Sequence, residues 1–252
     1  MAANQKIVCI IPARLASTRF PGKVLKSIQN KPMLSWVWHA AHATKLFDDV
    51  LFAIDSLWTA DLIESFGGKY FMTSDECKNG TERLIELMQN QKVTADVWVN
   101  WQGDEPFITT TMIKDLLQSC SKNDADIWTL CKRIEDYQEI ANPHVAKVVR
   151  DANNNALYFS RSTIPYYRDP RAQINKTFYK HIGIYAYTTT ALKKIAELST
   201  ADIEDAEQLE QLRFLYNGLT IKVHETNTEV FGIDLPEHIE KAEKFAKEHG
   251  LV

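Results

Sequence analysis

Acidic residues are missing from the first 47 positions of this chain of 252 residues, although acids outnumber bases overall. The whole chain has 33 Asp and Glu against 29 Lys and Arg, which gives a net charge of −4. The stretch 1–47 contains seven bases, so its charge is +7 and the remainder carries −11. A net acidic chain excludes a protein that coats nucleic acid, whereas the basic N-terminal part favours a small anionic ligand there.

Paired cysteines and long apolar runs are missing too. The cysteines fit neither a C-x-x-C motif nor the spacing of a zinc site, and they are Cys9, Cys77, Cys120 and Cys131. No apolar run is long enough to cross a bilayer, and the first residues lack the apolar segment of a signal peptide. We therefore expect reduced thiols, a cytoplasmic location and no membrane partner. A chain of this size buries about 70–75% of its unfolded surface, so it needs no disulfides.

Apolar runs alternate with helical patterns through the first half of the chain. Strands are predicted at 6–11, 49–54, 70–72, 96–101 and 126–131, and helices at 33–45, 59–66, 81–91 and 110–121. This order predicts a doubly wound α/β fold with a mainly parallel sheet. Strands then follow without long helices at 145–150, 156–159 and 178–187, which indicates an antiparallel insertion. The remaining segments are predicted as helices at 191–198, 206–216 and 236–248 and a strand at 219–224.

A basic loop follows the first predicted strand, with the sequence I-P-A-R-L-A-S-T-R-F-P-G-K at residues 11–23. Arg14, Arg19 and Lys23 come at the carboxyl end of a strand, where open α/β sheets bind their ligands. Three cations in such a loop suit a polyphosphate, although a solvated surface loop would have the same composition. The loop is not a Walker motif, because Ser17 stands where that motif needs Gly and Val24 where it needs Ser or Thr.

Two acids follow another predicted strand in the segment V-W-V-N-W-Q-G-D-E-P-F, residues 97–107. Asp104 and Glu105 should emerge at the same sheet edge as the basic loop, where a carboxylate can hold Mg²⁺ together with substrate phosphates. Asp234, in F-G-I-D-L-P, is a candidate second ligand, although an Asp before a helix is often only an N-cap. A basic loop with separate aspartates is typical of metal-assisted phosphoryl or nucleotidyl transfer.

Eight sequence segments together resemble one enzyme family. In chain order they are I-P-A-R-L-A-S-T-R-F-P-G-K, N-G-T-E-R (79–83), V-N-W-Q-G-D-E-P, N-P-H-V-A-K-V-V (142–149), Y-F-S-R-S-T-I-P (158–165), H-I-G-I-Y (181–185), L-E-Q-L-R (209–213) and G-I-D-L-P. They resemble the 3-deoxy-manno-octulosonate cytidylyltransferases, also called CMP-Kdo synthetases, over residues 7 to about 240. The first segment is shared with other CMP-sugar synthetases, whereas the later segments in this order are far more specific.

The resemblance implies a reaction and an assembly. CTP and an acidic eight-carbon sugar would give a CMP-sugar and pyrophosphate in a reaction that requires Mg²⁺. The CMP-sugar would be used in lipopolysaccharide synthesis. The fold would be that of the nucleotide-diphospho-sugar transferases, as one domain over 1–252. Within it, residues 1–134 would mainly bind the nucleotide, and residues 135–252 would mainly bind the sugar and form a homodimer. The strand-rich middle, 145–187, is the candidate dimer interface.

The resemblance also implies a role for individual residues. It assigns Arg14, Arg19 and Lys23 to the triphosphate and Asp104 and Asp234 to Mg²⁺, with Arg14, Lys23 and the two aspartates as the catalytic set. It places the cytidine at Thr73, Ser74, Gly80, Thr81, Glu82 and Arg83. It places the sugar at Gln102, Arg161, His181, Tyr185, Glu210 and Gln211. From the residues alone, His181 could equally be a structural histidine of the core, and Glu210 and Gln211 part of a solvated helix face.

Departures from the family pattern leave the acceptor sugar open. They include Tyr166-Tyr167 after Ile164-Pro165, the run 202–207 before the L-E-Q-L-R segment, and His238 after Asp234. Several flank the inferred sugar pocket, so an amino-substituted acceptor, 8-amino-3,8-dideoxy-manno-octulosonate, is an alternative. A synthetase for a sialic-acid-type nonulosonate shares only the first segment, and an inactive nucleotide-binding protein would not need all four catalytic residues.

Overall fold

The computed structural model describes residues 5–16, 20–169, 176–229 and 232–251. Its strands are β1 (Ile7–Ala13), β2 (Ser27–Ile28), β3 (Lys31–Pro32), β4 (Asp49–Ile54), β5 (Tyr70–Met72), β6 (Val97–Asn100), β7 (Ile127–Arg133), β8 (Lys147–Arg150), β9 (Ala156–Ser160), β10 (Tyr179–Thr188) and β11 (Ile221–Glu225). Its α-helices are α1 (Met33–Thr44), α2 (Leu57–Glu64), α3 (Gly80–Gln89), α4 (Thr110–Leu117), α5 (Tyr137–Ala141), α6 (Thr189–Ile195), α7 (Asp202–Glu207), α8 (Gln211–Tyr216) and α9 (Glu237–Glu248). Contacts divide the chain into unit 1, Met1–Ile113 with Val230–Val252, and unit 2, Lys114–Glu229.

Unit 1 is built on a parallel sheet in the order β6-β1-β4-β5. In β1, Cys9 lies opposite Val50 of β4 on one side and Val99 of β6 on the other. Residues 8–11 of β1 are completely buried, which explains the unbroken apolar run in the sequence. Because these strands are parallel, the loops after β1 and β6 leave the sheet at the same edge.

The C-terminal helix α9 belongs to the same unit as the N-terminal strands. Ala242 and Ala246 of α9 pack in an apolar cluster with Ile28 of β2 and with Met33 and Trp36 of α1. The cluster is extended by Phe20, Phe107, Ile233, Ile239 and Phe245. The burial of this face of α9 fixes the position of the segment before it, which contains Asp234. Asp234 therefore lies in unit 1 with Asp104, the other candidate ligand, although the two are more than a hundred residues apart in the chain.

Unit 2 contains the predicted antiparallel strands. Its strand order is β11-β7-β10-β8-β9, with β11 parallel to β7 and the other pairs antiparallel. The register between β10 and β7 shifts between Ile182 and Tyr185, which marks a β-bulge in the H-I-G-I-Y segment. The mixed α/β class with a mainly parallel sheet is confirmed. The predicted division into a nucleotide-binding half, 1–134, and a sugar-binding half, 135–252, depends on where ligands bind and stays a prediction.

One predicted helix is wrong. The pattern over 206–216 predicts a single helix, but the chain forms α7 and α8 with Gln208 between them in the left-handed region, φ 52°. The side chain and carbonyl of Glu207 bind Ser160 and Arg161, so tertiary contacts override a continuous helical propensity here. Within the described ranges, no helix is long and apolar enough to span a membrane.

Candidate active site

A cavity of about 200 Å³ opens in unit 1 where β1 and β6 end. It is lined by Pro12, Arg14, Lys23, Val24, Asn79, Gly80, Arg83, Gln102, Gly103, Asp104 and Asp234. The chain converges here from the loop after β1, the turn after β6, the first turn of α3 and the segment before α9. Seven of the sequence-predicted residues line this cavity, namely Arg14, Lys23, Gly80, Arg83, Gln102, Asp104 and Asp234.

Lys23 stands at the centre of the charges in the cavity. Its Nζ donates a short hydrogen bond to Asp104 Oδ2 and another, of 3.2 Å, to Asp234 Oδ1. Burial alone would lower the pKa of Lys23, but attraction and hydrogen bonding from Asp104 and then Asp234 outweigh it and hold the pKa above its ordinary value. Lys23 is therefore a permanent cation at neutral pH, held by two carboxylates whose side chains are 25% and 40% exposed.

The two aspartates fit a magnesium site. Their carboxylate oxygens approach one and the same Nζ, so they already converge on a single positive charge. Among the described residues, no group of three or more His, Cys, Asp and Glu side chains forms a fuller cage. Mg²⁺ is commonly held by one or two carboxylates, with water and substrate phosphates completing its shell, so two hard oxygen ligands suit this ion.

Glu105 has an unusual environment that the sequence did not reveal. Its carboxyl is buried, Oε2 has no hydrogen-bond partner among the described residues, and a Cβ on Gly232 would lie 3.0 Å from Oε1. Burial, followed by repulsion from Asp104 and Asp234, raises the pKa of Glu105 to about 8, with Lys23 opposing the shift. A largely protonated Glu105 limits the negative charge beside the two aspartates. No sequence signal separates it from an ordinary acid, because the shift depends on burial.

Gly103 permits the turn after β6 to lie against the end of β1. Its N–H donates to the carbonyl of Pro12 at 3.2 Å, and an added Cβ would meet that carbonyl oxygen at 3.0 Å. The same Cβ would lie 3.0 Å from Leu34 Cδ2. A side chain at this position would force the turn away from β1, and Asp104 is the next residue.

The basic loop contributes Arg14 and Lys23 to the cavity. Arg14 Nη1 donates to the carbonyl of Lys78 at 3.2 Å, which links the loop to the segment before α3. The N–H of Leu15 donates to Asp55 Oδ1 at 2.9 Å. Arg19, the third predicted cation, lies outside the described residues.

The residues predicted to hold the cytidine cluster around Arg83, which is almost completely buried. Arg83 donates to Asp55 Oδ2 at 2.7 Å, to Thr73 Oγ1 at 2.5 Å and to the carbonyl of Ser74 at 3.2 Å. It thereby ties together the chain ends after β4 and β5. Asp55 was not among the predicted site residues, although its position directly after a buried strand could have identified it as one.

The first turn of α3 faces the cavity. Asn79 caps the helix, because its side chain accepts the N–H of Glu82 at 2.9 Å, and Gly80 lines the cavity wall. Glu82 accepts the N–H of Lys78 at 2.7 Å, and Thr81 is buried. A helix N-terminus next to a lysine and an arginine is a favourable place for phosphate oxygens.

The predicted sugar residues divide between the two units. Gln102 lies in unit 1 and donates to Asn100 Oδ1 at 2.9 Å. The other five lie in unit 2, namely Arg161, His181, Tyr185, Glu210 and Gln211. In unit 2, Glu210 accepts a bond from Arg213 at 3.2 Å, and the amide nitrogen of Gln211 is buried without a partner in the described chain. Gln211 is therefore not part of a solvated helix face.

His181 and Tyr185 come together on β10, with ring centroids 5.4 Å apart. His181 Nε2 lies 3.1 Å from Thr129 Oγ1, whose single proton serves the nearby carbonyls of Ile182 or Ile184. The imidazole is therefore the donor, with its proton on Nε2, and Nδ1 is left as an acceptor. Burial lowers the pKa of His181 to about 3 and raises that of Tyr185, so both are neutral at pH 7.

Comparison with known proteins places this geometry in a family. Residues 8–221 match the profile described as cytidylyltransferase. The 3-deoxy-manno-octulosonate cytidylyltransferase of Thermodesulfovibrio yellowstonii is 44% identical, covering 94% of this chain and 96% of its own length. That of Parabacteroides distasonis is also 44% identical, covering 95% and 98%.

Solved structures agree with the sequence comparison. A CMP:2-keto-3-deoxy-manno-octonic acid synthetase complexed with CTP superposes with a TM-score of 0.90 at 38% identity, covering 97% of this chain and 99% of the other. A putative glucose-1-phosphate thymidylyltransferase from Bacillus anthracis, at 17% identity and a TM-score of 0.67 with 96% of each chain covered, shares the fold alone.

Proposed function

Because the chain belongs to the 3-deoxy-manno-octulosonate cytidylyltransferase family and is a nucleotidyltransferase, we propose that it transfers the cytidylyl group of CTP to 3-deoxy-manno-octulosonate (Kdo), releasing pyrophosphate. The observation that carries the proposal is the convergence of Lys23, Asp104 and Asp234 from three distant segments in one cavity. A partly buried lysine that only bridged two carboxylates for stability would not need the adjoining Arg14 and helix N-terminus.

The nucleotide side of the reaction uses the cavity of unit 1. The anomeric hydroxyl of the sugar attacks the α-phosphorus and the bond to pyrophosphate breaks, so negative charge grows on the leaving oxygens. Arg14 and Lys23 supply positive charge there, and the N-terminal turn of α3 adds oriented N–H groups. Asp104 and Asp234 are the proposed holders of Mg²⁺, which would neutralise phosphate oxygens and orient the triphosphate.

The sugar side uses polar groups with defined protonation. Arg161 suits the sugar carboxylate, because a guanidinium binds that group in a fixed planar geometry. His181 Nδ1 can accept a bond from a sugar hydroxyl, and the partnerless amide nitrogen of Gln211 can donate one. A hydroxyl or an ammonium can meet an acceptor, so an amino-substituted Kdo is kept as a competing substrate.

One assay tests the proposal. CTP and Mg²⁺ are incubated with the protein and with Kdo, 8-amino-3,8-dideoxy-manno-octulosonate or sialic acid, and pyrophosphate release is measured for each acceptor. We expect the highest kcat/KM with Kdo. A higher value with the amino sugar would overturn the assignment of the acceptor, and no release with any acceptor would overturn the enzymatic function.

The setting of the activity is also a proposal. We propose that the product enters lipopolysaccharide synthesis in the cytoplasm, which is supported by the four free thiols. We propose a homodimer formed through the strand-rich middle, where Leu157 is 62% and Tyr166 83% exposed. Light scattering on the eluting protein should give twice the 28.9 kDa of one chain, and a mass of one chain would contradict the dimer.

A further inference from the structure

Lys147, at the start of β8, is completely buried, and within the described part of the chain its ammonium bonds main-chain carbonyls rather than acidic side chains. Its ammonium donates to three main-chain carbonyls, of Asn142 at 3.0 Å, Val145 at 2.7 Å and Arg161 at 2.5 Å. A lysine has three N–H donors, so all of them are used. Burial lowers the pKa of Lys147, and the charge of Glu207 opposes that shift.

The three bonds of Lys147 join two segments of unit 2. Asn142 and Val145 belong to the turn before β8, and Arg161 follows directly after β9. The same turn is tied to the side chain of Arg161, because Arg161 Nη1 donates to the carbonyl of Pro143 at 3.0 Å. Lys147 therefore fixes the backbone of Arg161 against the turn to which its guanidinium is bonded.

Glu207, the last residue of α7, holds the other side of Arg161. Its carboxylate accepts Ser160 Oγ–H at 2.5 Å and the backbone N–H of Arg161 at 2.8 Å. Its carbonyl accepts Arg161 Nε at 2.7 Å, and the carbonyl of Gln208 accepts Nη2 at 3.3 Å. The backbone and the side chain of Arg161 are thus both fixed by Lys147, Glu207 and their neighbours.

This arrangement leaves the guanidinium positive. Within the described ranges, the guanidinium bonds neutral carbonyls, whereas the carboxylate of Glu207 binds the backbone N–H of Arg161. A guanidinium has five N–H donors, and the described residues accept three of them, which leaves two for a ligand. An arginine that is held rigidly but not neutralised is suited to an anionic group of a substrate.

We propose that Lys147 and Glu207 are positioning residues for the acceptor, holding Arg161 so that its two remaining N–H groups meet the sugar carboxylate. The proposal rests on the proposed function, and it adds two residues that never touch the sugar. Because they act through Arg161, their loss should weaken sugar binding without affecting CTP.

The test measures KM for both substrates in Lys147→Met, Glu207→Gln and Arg161→Gln. Met keeps the length of the lysine side chain without its charge, and Gln keeps the size of Glu207. We expect the KM for Kdo to rise roughly 10- to 100-fold in each single variant, which is the usual cost of losing hydrogen bonds of a charged group, with an unchanged KM for CTP. Lys222→Met is the matched control, because Lys222 is also largely buried and bonds the carbonyl of Asn153, and it should leave both values unchanged.

A double-mutant cycle separates positioning from general loosening. If Lys147 acts through Arg161, adding Lys147→Met to Arg161→Gln should raise the KM for Kdo little further. Additive effects, a parallel rise in the KM for CTP, or an unchanged KM for Kdo in Lys147→Met would each overturn the proposal. If Lys147→Met does not fold, Glu207→Gln with Arg161→Gln supplies the same cycle. Failure of the wild-type protein to release pyrophosphate would instead refute the proposed function.

Discussion

At the scale of single residues, the electrostatic environments of Lys23 and Glu105 define the cavity in unit 1. Lys23 stays charged because Asp104 and Asp234 hold its pKa up, and Glu105 stays largely protonated because it is buried next to those aspartates. The two adjacent acids, Asp104 and Glu105, therefore have different environments. Asp104 bonds the ammonium of Lys23, whereas Glu105 is buried, and burial is the main cause of its raised pKa.

Asp104→Asn keeps the size of the side chain but removes its negative charge. If Asp104 holds Mg²⁺, kcat should fall by roughly 100-fold or more even at saturating Mg²⁺, because the charge stabilisation at the reacting phosphate is lost. Steady-state pyrophosphate release measures this. Asp61→Asn, on the exposed surface of α2 in the same unit, is the control and should behave as the wild type. An Asp104→Asn enzyme with wild-type kcat would remove Asp104 from the metal role.

The sequence predicts part of this cavity. The site residues at strand ends could be predicted, because a buried apolar run followed by Arg14 or Asp104 identifies both the strand and the edge of the sheet at which it ends. The ion pair between Arg83 and Asp55 could not be predicted from the sequence, because it is buried and joins residues 28 positions apart. The raised pKa of Glu105 could not be predicted either, because no local sequence pattern reveals how deeply a carboxyl is buried.

At the scale of elements, the predicted bounds are best where one physical signal dominates. The strands β4 and β5 were predicted with the bounds that the structure shows, because both are short apolar runs between polar residues. The hairpin of β2 and β3 was missed, since strands of two residues have no periodicity. The division between α7 and α8 was missed because the contacts of Glu207 with Ser160 and Arg161 are non-local.

Gly103→Ala tests the contact between the turn after β6 and the end of β1. The new Cβ would meet the carbonyl of Pro12 and the side chain of Leu34 at 3.0 Å, so the turn must shift and carry Asp104 with it. We expect a loss of about 1–3 kcal/mol in the free energy of unfolding, as for other overpacked sites, together with a lower kcat. Urea denaturation and steady-state kinetics measure the two effects.

Gly183→Ala is the matched control, because a Cβ there would meet no heavy atom of the described residues within 4 Å. It should change neither quantity by a comparable amount. If Gly103→Ala retained the stability and kcat of the wild type, the turn would not depend on close packing against β1.

At the scale of the whole molecule, family membership and fold extend over nearly the full chain. Curated relatives cover 94–95% of it at 44% identity, and the CTP-complexed synthetase covers 97%. Both compact units therefore have counterparts in the relatives. The candidate nucleotide residues fall in unit 1, and all but one of the candidate sugar residues fall in unit 2.

The stability of the whole molecule should depend on pH through His181. Burial lowers the folded-state pKa of this histidine from 6.5 to about 3, so between these values the unfolded chain binds more protons than the folded one. Stability therefore falls as the pH is lowered through this window, by at most about 1.4 kcal/mol per pH unit from this group. His181→Asn should show a shallower loss in urea denaturation series between about pH 7 and pH 5.

Glu105 acts on stability with the opposite sign, because its folded pKa is raised to about 8 from 4.5 and its contribution is lost as the pH rises. Both the wild type and His181→Asn contain Glu105, so its contribution to the pH dependence of stability cancels when the two proteins are compared. Equal slopes in the two proteins would contradict a buried neutral His181.

The central claim is that the cavity around Lys23, Asp104 and Asp234 joins the cytidylyl group of CTP to Kdo. Phosphorus NMR of one reaction containing the protein, CTP, Kdo and Mg²⁺ tests it most directly, because it resolves substrate, product and leaving group together. We predict that the triphosphate signals disappear while pyrophosphate and the phosphodiester of a CMP-sugar increase in equal amounts. Unchanged triphosphate signals, or pyrophosphate accompanied by free CMP without the phosphodiester, would contradict the account.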